Sequence, residues 1–175
     1  MEKKFRSKMI NKIVITGPEC CGKTTLANSL SKIYKCHIVK EFARKYLEKS
    51  NGHYNYEDLL KIAKGQFEEE RQMETLEKKI LICDTAVHTI KIWSLEKYNK
   101  CDPWIIKNTE NYNHYLLCSP DIPWEEDPLR ENPKDRERIF QIYLQELKNK
   151  PMTIISGTQS ERIKQAQKLI NTYIN

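Results

Sequence analysis

Short apolar runs alternate along the chain with longer segments in which apolar residues recur every three or four positions. The apolar runs predict buried strands at residues 13–15, 36–40, 80–83, 114–118 and 152–156. The segments between and after them predict helices at residues 25–34, 56–78, 87–98, 139–150 and 158–173, with a short helix beginning at Trp104. This alternation predicts an α/β fold in three layers, a five-stranded parallel sheet with helices on both faces.

The first predicted strand runs into a turn with the spacing of a P-loop, Gly17-x-x-x-x-Gly22-Lys23-Thr24. In such a loop the glycines let backbone N–H groups surround a phosphate at the start of a helix. Lys23 is predicted to contact the β- and γ-phosphates, and the Thr24 hydroxyl to bind Mg²⁺. A turn that binds nothing is the alternative, but all four fixed positions are filled in a strand-then-helix context. The residues predicted to bind the nucleotide are Gly17, Pro18, Glu19, Cys20, Cys21, Gly22, Lys23, Thr24 and Thr25.

Two carboxylates stand at the ends of predicted strands, which is where parallel α/β sheets bind their ligands. Glu41 follows the second strand and is a candidate general base or acceptor for a substrate hydroxyl, with Arg44 one helical turn further on. The alternative is a helix-capping carboxylate beside a surface arginine. Asp84 ends the third strand, where P-loop proteins carry an acidic residue that holds Mg²⁺, and it can also cap the helix that begins after it.

Residues 119–138 differ from the rest of the chain in composition, with four prolines, one tryptophan and three arginines. Phosphoryl transfer requires positive charge at the migrating group and exclusion of water, both of which an arginine-bearing lid supplies. The segment is therefore predicted to be a lid, with Arg130 and Arg136 as catalytic residues and Trp124 as a surface for a flat ring. A proline-rich connector is the alternative.

Length and charge narrow the class of protein. A chain of 175 residues can bury one full core, which predicts a single domain over residues 1–175 with a basic tail at 1–10. The net charge of +6 comes from Lys and Arg spread among 24 acidic residues, so no nucleic-acid partner is predicted. No apolar run approaches the roughly 18 residues of a membrane span, and no signal-type region follows the basic start, so the predicted location is the cytoplasm without membrane association.

Two other kinds of site are not predicted. The six cysteines form no Cys-x-x-Cys pair and no cysteine–histidine cluster at zinc spacing. Residues 99–102 read Asn-Lys-Cys-Asp and match the guanine-reading motif of GTPases, but they follow a helical segment where that motif requires a strand. The sequence therefore favours neither a zinc protein nor a GTPase.

Several blocks of the sequence together resemble the NadR-type ribosylnicotinamide kinase domain of the P-loop kinases. They are G-P-E-C-C-G-K-T-T-L, E-F-A-R-K-Y-L, residues 62–66, Asp84-Thr85, Lys91-Ile92-Trp93-Ser94 and P-D-I-P-W-E-E-D-P-L-R-E-N-P, and they cover nearly the entire chain. The run I-P-W-E-x-D-P-L-R is the specific part, because a P-loop by itself is generic. The resemblance implies transfer of the ATP γ-phosphate to the ribose 5′-hydroxyl of nicotinamide riboside, giving nicotinamide mononucleotide for NAD synthesis.

In the mechanism that this resemblance implies, Thr24 and Asp84 organise Mg²⁺, and either Glu41 or Asp84 accepts the proton of the 5′-hydroxyl. Ala86 departs from the family, which carries a further acidic residue at this position in a D-T-D pattern. The second acidic role is then expected to fall to Glu41, unless the preference for substrate has shifted.

The remaining roles fall on residues of the predicted lid and of the helix before it. Arg130 and Arg136 are expected to neutralise charge in the transition state, and either Trp93 or Trp124 to form an aromatic wall for the nicotinamide. Two other functions stay open at this point. One is a kinase for another nucleoside or small metabolite, and the other is a nucleotide-sensing ATPase that acts through a protein partner.

Overall fold

The computed structural model of the protein describes residues 10–76, 79–109, 112–131 and 133–174. Its strands are β1 (Asn11–Thr16), β2 (Ile38–Val39), β3 (Ile80–Asp84), β4 (His114–Cys118) and β5 (Met152–Ile155). Its helices are α1 (Lys23–Tyr34), α2 (Phe42–Lys49), α3 (Tyr56–Glu74), α4 (Val87–Tyr98), α5 (Pro103–Lys107), α6 (Arg136–Leu147) and α7 (Gln159–Ile174). The strands form one parallel sheet in the order β2-β3-β1-β4-β5, so the predicted five-stranded parallel sheet is confirmed.

The observed boundaries differ from the predicted ones at several elements. The second strand has two residues instead of five, because only Ile38 and Val39 pair with β3. Helix α1 begins at Lys23, inside the P-loop motif, and α6 begins at Arg136, inside the predicted lid. Helix α3 ends at Glu74, before the predicted end at residue 78. The predicted basic tail, except for its last residue, and residue 132 of the predicted lid lie outside the described residues.

Helices α1 and α7 cover one face of the sheet. Alternate residues of β1, Ile13 and Ile15, belong to this layer and form a buried cluster with Leu26 and Leu30 of α1 and Ile170 of α7. Each side chain of this size that is removed from water stabilises the fold by about 1.5–3 kcal/mol. This cluster fixes α1, and therefore the carboxyl end of the P-loop, against the central strand.

Helices α3, α4 and α6 cover the other face. Val14 of β1 packs there with Leu81, Tyr115 and Leu147, and Leu117 of β4 belongs to a neighbouring cluster on α4 and α6. Because both faces are covered, the strands have apolar residues at successive positions instead of alternating apolar and polar ones. Within the described part of the chain, no helix is long and apolar enough to cross a membrane.

The register of the central strands places Asp84 of β3 beside the end of β1, just before the P-loop begins. Ile15 of β1 pairs with Asp84 of β3, and the Thr85 amide donates to the Ile15 carbonyl at 2.9 Å. On the other side, Thr16 pairs with Leu117 of β4. The carboxyl ends of β1, β3 and β4 therefore open onto the same edge of the sheet, which is the edge that carries the P-loop.

The carboxylate of Glu70 on α3 is buried near the amino-terminal end of β1, with 1% of the residue exposed. It accepts a hydrogen bond from the Tyr112 hydroxyl, with oxygen–oxygen distances of 2.8 and 2.9 Å, and the Lys12 ammonium lies 3.9 Å away. Burial raises the pKa of Glu70 to about 7, although both partners lower it. The folded protein therefore keeps a proton on Glu70 at pH values at which the unfolded chain has released it.

Replacing Glu70 by Gln is expected to remove a pH-dependent loss of stability. Because the folded pKa lies above the unfolded one, this group costs nothing below about pH 4.3 and destabilises the fold by up to roughly 3 kcal/mol once the pH exceeds about 7. Urea unfolding at several pH values is expected to show that the free energy of unfolding of E70Q rises relative to that of wild type between pH 5 and pH 8. The exposed Glu68 on the same helix supplies the control variant E68Q. A difference between E70Q and wild type that stays constant with pH would contradict this account.

Candidate active site

The loop between β1 and α1 adopts a conformation that needs glycine at two positions. Gly17 has a φ of 138°, and a Cβ atom there would lie 2.6 Å from the carbonyl oxygen of Cys118. Gly22 has a φ of 77° and occupies the N-cap of α1, where no side chain caps the helix. Cys20, with a φ of 50°, is left-handed as well. The first N–H groups of α1 are therefore left available to an anion.

Lys23 places its ammonium group inside this loop. Its Nζ donates to the Pro18 carbonyl at 2.5 Å and lies 3.8 Å from Sγ of Cys21. Burial lowers the pKa of Lys23, but the charges of Cys21 and Glu41 more than offset this, and the net pKa is raised. For Cys21, burial raises the pKa, while a hydrogen bond with Cys118 and the charge of Lys23 lower it to about 7. Lys23 therefore remains a full positive charge in the loop.

Asp84 contacts the loop through Thr24. The Thr24 hydroxyl donates to Oδ2 of Asp84 at 2.6 Å, and Asp84 is only 4% exposed. Its other oxygen, Oδ1, is buried and has no hydrogen-bond partner among the described residues. Burial raises the pKa of Asp84, opposed by the Thr24 hydrogen bond and the charge of Lys23. The N-cap of α4 is Ala86, so the alternative role of Asp84 as a helix cap is wrong.

Glu41 lies at the start of α2 and lines a pocket of about 290 Å³ that opens from the P-loop. It occupies the N-cap position, but its side chain makes no capping hydrogen bond, so the capping alternative is wrong for Glu41 as well. Burial raises its pKa, the charge of Lys23 lowers it, and the charge of Asp84 raises it further, with a net upward shift. A carboxylate in this state is able to take up a proton closer to neutral pH than an exposed glutamate can.

Two residues of α3 position Glu41 without touching the pocket. The side-chain oxygen of Gln66 accepts a hydrogen bond from the Phe42 amide at 2.9 Å and so satisfies the first N–H of α2. Gly65 lets the Phe42 ring approach the helix backbone, because a Cβ at Gly65 would lie 2.2 Å from that ring. The close approach of α2 to α3 therefore fixes the residue next to Glu41.

The described part of the predicted lid, residues 119–131 and 133–138, is attached to both sides of the pocket. The Glu125 amide donates to Sγ of Cys20 at 3.1 Å, and the Glu131 amide donates to the Glu19 carboxylate at 3.0 Å. The guanidinium group of Arg44 on α2 forms an ion pair with Asp127 at 2.9 Å. These contacts bridge the P-loop and α2, so the segment lies across the opening between them.

The arginines and the tryptophan of this segment differ in position. Arg130 lines the pocket and donates to the carbonyl of Glu125. Arg136 donates to the carbonyls of Cys20 and Ile122 at 3.0 and 2.9 Å. Both guanidinium carbons lie 5.7 Å from the centre of the Trp124 ring, which is half-buried. Arg136 and Trp124 are not among the residues that line the pocket.

Trp93 forms an aromatic wall at the far side of the pocket. Its ring lies 6.4 Å from that of Tyr54 at an interplanar angle of 29°. Both rings line an extension of about 260 Å³, in which the Lys97 ammonium lies 3.8 Å from the centre of the Tyr54 ring. The remaining lining residues of the extension are Glu19, Leu47, Glu96, Leu129, Glu131 and Arg138. Of the two tryptophans considered from the sequence, Trp93 is the one that faces this space.

The structure brings most of the residues that the sequence indicated into one pocket. Its lining includes residues 17–25, Glu41, Arg44, Trp93 and Arg130, while Asp84 reaches it through Thr24. The sequence indicated no role for Tyr54, Gln66, Glu96 or Tyr143, and none for Arg138, the third arginine of the predicted lid. The signal for Gln66 was its place in the block 62–66, one of those that resemble the NadR-type kinases.

Comparison with known proteins agrees with this architecture. A family model described as an AAA domain matches residues 12–162. None of the curated proteins matches the chain. Two crystal structures of NadR protein, one in complex with NR and one with NAD and AMP-PNP, superpose with TM-scores of 0.79 and 0.75 at 17% and 18% sequence identity. They cover 98% and 95% of this chain, which spans about half of theirs, 52% and 50%.

A third solved structure, deoxyadenosine kinase from M. mycoides with products dCMP and a flexible dCDP bound, superposes with a TM-score of 0.65 at 14% identity. It covers 92% of this chain, and the chain covers 99% of it. At such identities the likeness shows the fold alone. The predicted P-loop kinase fold and the resemblance to NadR are confirmed at that level.

Replacing Gln66 by Met is expected to destabilise the protein while keeping the volume of the side chain, because the Phe42 amide loses its acceptor and Glu70 loses the longer hydrogen bond, 3.4 Å, that the Gln66 amide donates to it. A buried donor without a partner costs about 1–3 kcal/mol. Gln72 on the same helix is exposed, and its side-chain amide donates to Glu68 at 3.2 Å, so Gln72→Met serves as the control. Denaturant unfolding measures the free energy of unfolding of both variants. Equal values would show that the hydrogen bond from the Phe42 amide contributes nothing to stability.

Proposed function

The chain belongs to the AAA domain family, and from its P-loop and the pocket beside it we propose that it is an ATP-dependent kinase. The proposed acceptor is the ribose 5′-hydroxyl of nicotinamide riboside, and the product is nicotinamide mononucleotide. One observation carries the proposal, namely that a P-loop, a carboxylate with a raised pKa and an aromatic wall share one pocket. The similarity in fold to NadR and to deoxyadenosine kinase supports it.

The donor half of the site is the P-loop. The uncapped N–H groups at the start of α1 and the ammonium group of Lys23 would bind the β- and γ-phosphates of ATP. Because Lys23 is half-buried and keeps its charge, its attraction for phosphate is stronger than that of a fully exposed lysine. The loop therefore supplies both fixed dipoles and one full charge to the donor.

A magnesium ion fits the pair formed by Thr24 and Asp84. Oδ1 of Asp84 is buried without a hydrogen-bond partner among the described residues, which is an unusual state for a carboxylate oxygen unless a cation completes it. Magnesium prefers oxygen ligands and is commonly held by one or two side chains together with substrate phosphates. Thr24 and Asp84 would hold the ion, which would supply positive charge to the β- and γ-phosphates.

The acceptor half of the site would use Glu41 as general base. Asp84 is engaged with Thr24, whereas Glu41 faces the pocket on the side of α2. A raised pKa brings a carboxylate nearer to the working pH, which favours proton transfer from a hydroxyl. Arg130 lines the same pocket and would stabilise charge on the transferred group. Arg136 would act on the transferred phosphoryl group indirectly, by holding the Cys20 carbonyl of the P-loop.

Trp93 and Tyr54 would hold the base of the acceptor. The pyridinium ring of nicotinamide riboside is flat and positively charged, and aromatic faces attract such cations by about 0.5–2 kcal/mol. Of the carboxylates that line the same extension, Glu131 is paired with the Lys97 ammonium at 3.4 Å and Glu96 with the Arg138 guanidinium at 2.6 Å, so the aromatic faces would supply the attraction. Lys97 lies over the Tyr54 ring and would have to move before a cationic ring could reach that face.

A second candidate is phosphorylation of a deoxynucleoside, which the fold of deoxyadenosine kinase favours, since the chain covers 99% of it. The two functions share the P-loop, the metal pair and the base. They differ only in the ring that Trp93 would face. A neutral purine or pyrimidine gains less than a pyridinium from the aromatic faces, and for this reason we propose nicotinamide riboside as the acceptor.

An assay of ATP consumption with a panel of acceptors is expected to give the fastest turnover with nicotinamide riboside, ahead of adenosine, deoxyadenosine and thymidine. Lys23→Ala is expected to lower turnover at least about 100-fold with the fold intact, because the charge on the β- and γ-phosphates is lost. Lys32→Ala, at an exposed position of α1, is the control. Hydrolysis of ATP indifferent to every nucleoside would point instead to a sensor ATPase, and activity retained by K23A would reject the scheme.

Replacing Glu41 by Gln is expected to lower kcat by about 10²–10⁴-fold, the usual contribution of a general base. In wild type, activity is expected to fall as pH decreases through a pKa above the ordinary glutamate value, because only the ionised form accepts a proton. The ascending limb of the pH–rate profile should be absent in E41Q. Asp84→Asn is the matched comparison and is expected to change the dependence on Mg²⁺ concentration. If E41Q keeps that limb and D84N loses it, Asp84 is the base.

A further inference from the structure

We infer that Arg162 is a positioning residue that orients the peptide groups of the P-loop toward the donor phosphates. This inference rests on the proposed function, since it concerns how tightly the loop binds a nucleotide. Arg162 lies on α7, outside the pocket, and is 3% exposed. Neither the P-loop motif nor the residues that line the pocket point to it.

The guanidinium group of Arg162 makes hydrogen bonds to three separate segments of the chain. Nε donates to the Gly157 carbonyl at 2.7 Å, Nη1 to the Cys21 carbonyl at 3.1 Å and Nη2 to the Ser119 carbonyl at 3.2 Å. Nη2 also donates to the carboxylate of Asp121, which accepts from the Gly157 amide at 2.6 Å through its other oxygen. Arginine stays charged when it is buried, so its guanidinium group requires hydrogen-bond acceptors around it, and these oxygens provide them.

The contact with Cys21 determines the direction of a phosphate-binding N–H group. In a trans peptide the carbonyl oxygen and the following N–H point to opposite sides, and the described residues contain no cis peptide. Because the Cys21 carbonyl is turned toward Arg162, the N–H of Gly22 is turned away from Arg162. Gly22 precedes the first residue of α1, where the N–H groups are uncapped.

The preceding peptide is held in the same way by a second arginine. Arg136 donates to the Cys20 carbonyl at 3.0 Å, and this directs the N–H of Cys21 away from Arg136. Two successive carbonyls of the loop are therefore bound from outside by arginines of different helices. Without such donors, a peptide group could flip, and the flip would turn its N–H out of the phosphate site. The pair fixes the inward N–H groups before any nucleotide binds.

Replacing Arg162 by Lys or Met tests this inference, because ADP carries the β-phosphate that the loop would bind and AMP does not. Isothermal titration calorimetry would measure the affinities for ADP and for AMP, in the presence of Mg²⁺, for each protein. Wild type is expected to prefer ADP, because the loop surrounds the β-phosphate. Both variants are expected to lose roughly tenfold of that preference, with AMP affinity changed less than about threefold, since one well-placed donor to an anion is worth about one decade. Lysine keeps the positive charge but lacks the planar set of donors of the guanidinium group. The Lys variant therefore separates the effect of peptide orientation from the effect of charge.

Two controls separate orientation from stability. Lys168→Met, an exposed change on the same helix, is expected to leave the ratio unchanged. Asp121→Asn weakens the ion pair but keeps the bond from Arg162 to Cys21, and is expected to keep most of the preference for ADP. If Arg162→Met does not fold, Arg162→Lys carries the test.

The outcomes distinguish this inference from the proposed function. Failure of wild type to bind ADP in preference to AMP would overturn the proposed function itself. A normal preference in wild type that is retained in Arg162→Lys would overturn only the role of Arg162. Equal losses for ADP and AMP, accompanied by a lower melting temperature, would assign Arg162 a structural role and likewise overturn the inference.

Discussion

The parallel register of β1 with its two neighbours is the constraint on which the rest of the site depends. Ile15 pairs with Asp84 on one side and with Leu116 on the other, so the chain leaves the sheet at Gly17 with the backbone of Cys118 against it. No side chain fits at that point, and the loop has to turn there. The buried contacts of α1 then fix where the helix begins, and with it the places of the residues that follow the loop.

The charges of the site depend on one another because Asp84 and Cys21 are buried and Lys23 and Glu41 beside them are half-buried. The carboxylates of Glu41 and Asp84 are both shifted toward their neutral forms by burial, and Lys23 shifts each of them back. In the same way, the charges of Cys21 and Glu41 keep Lys23 protonated despite its burial. In a medium of low dielectric such couplings are strong, so the removal of any one charge would alter the others. The site acts as an electrostatic unit and not as a set of independent residues.

The sequence predicted those features that are local, and missed those that depend on distant parts of the chain. Strands, the P-loop and the position of Asp84 follow from patterns within a few residues, because apolar runs and glycine spacing report on the backbone directly. The role of Gln66 depends on the packing of α3 against α2, and that of Arg162 on three distant segments that meet at its guanidinium group. The choice between Trp93 and Trp124 likewise depends on which way each ring faces, and periodicity carries no information about that.

The division of roles between the two carboxylates follows from where their strands end. Asp84 lies beside the P-loop in the register of β3, and its bond to Thr24 turns it toward the donor side. Ala86, where the family that the chain resembles has a further acidic residue, is 1% exposed at the N-cap of α4. A second carboxylate at this buried position, two residues from Asp84, would raise the pKa of both and weaken the charge available to a metal ion. In the proposed scheme, alanine would leave Asp84 to the metal ion, and Glu41, at the N-cap of α2, would be the carboxylate that faces the acceptor.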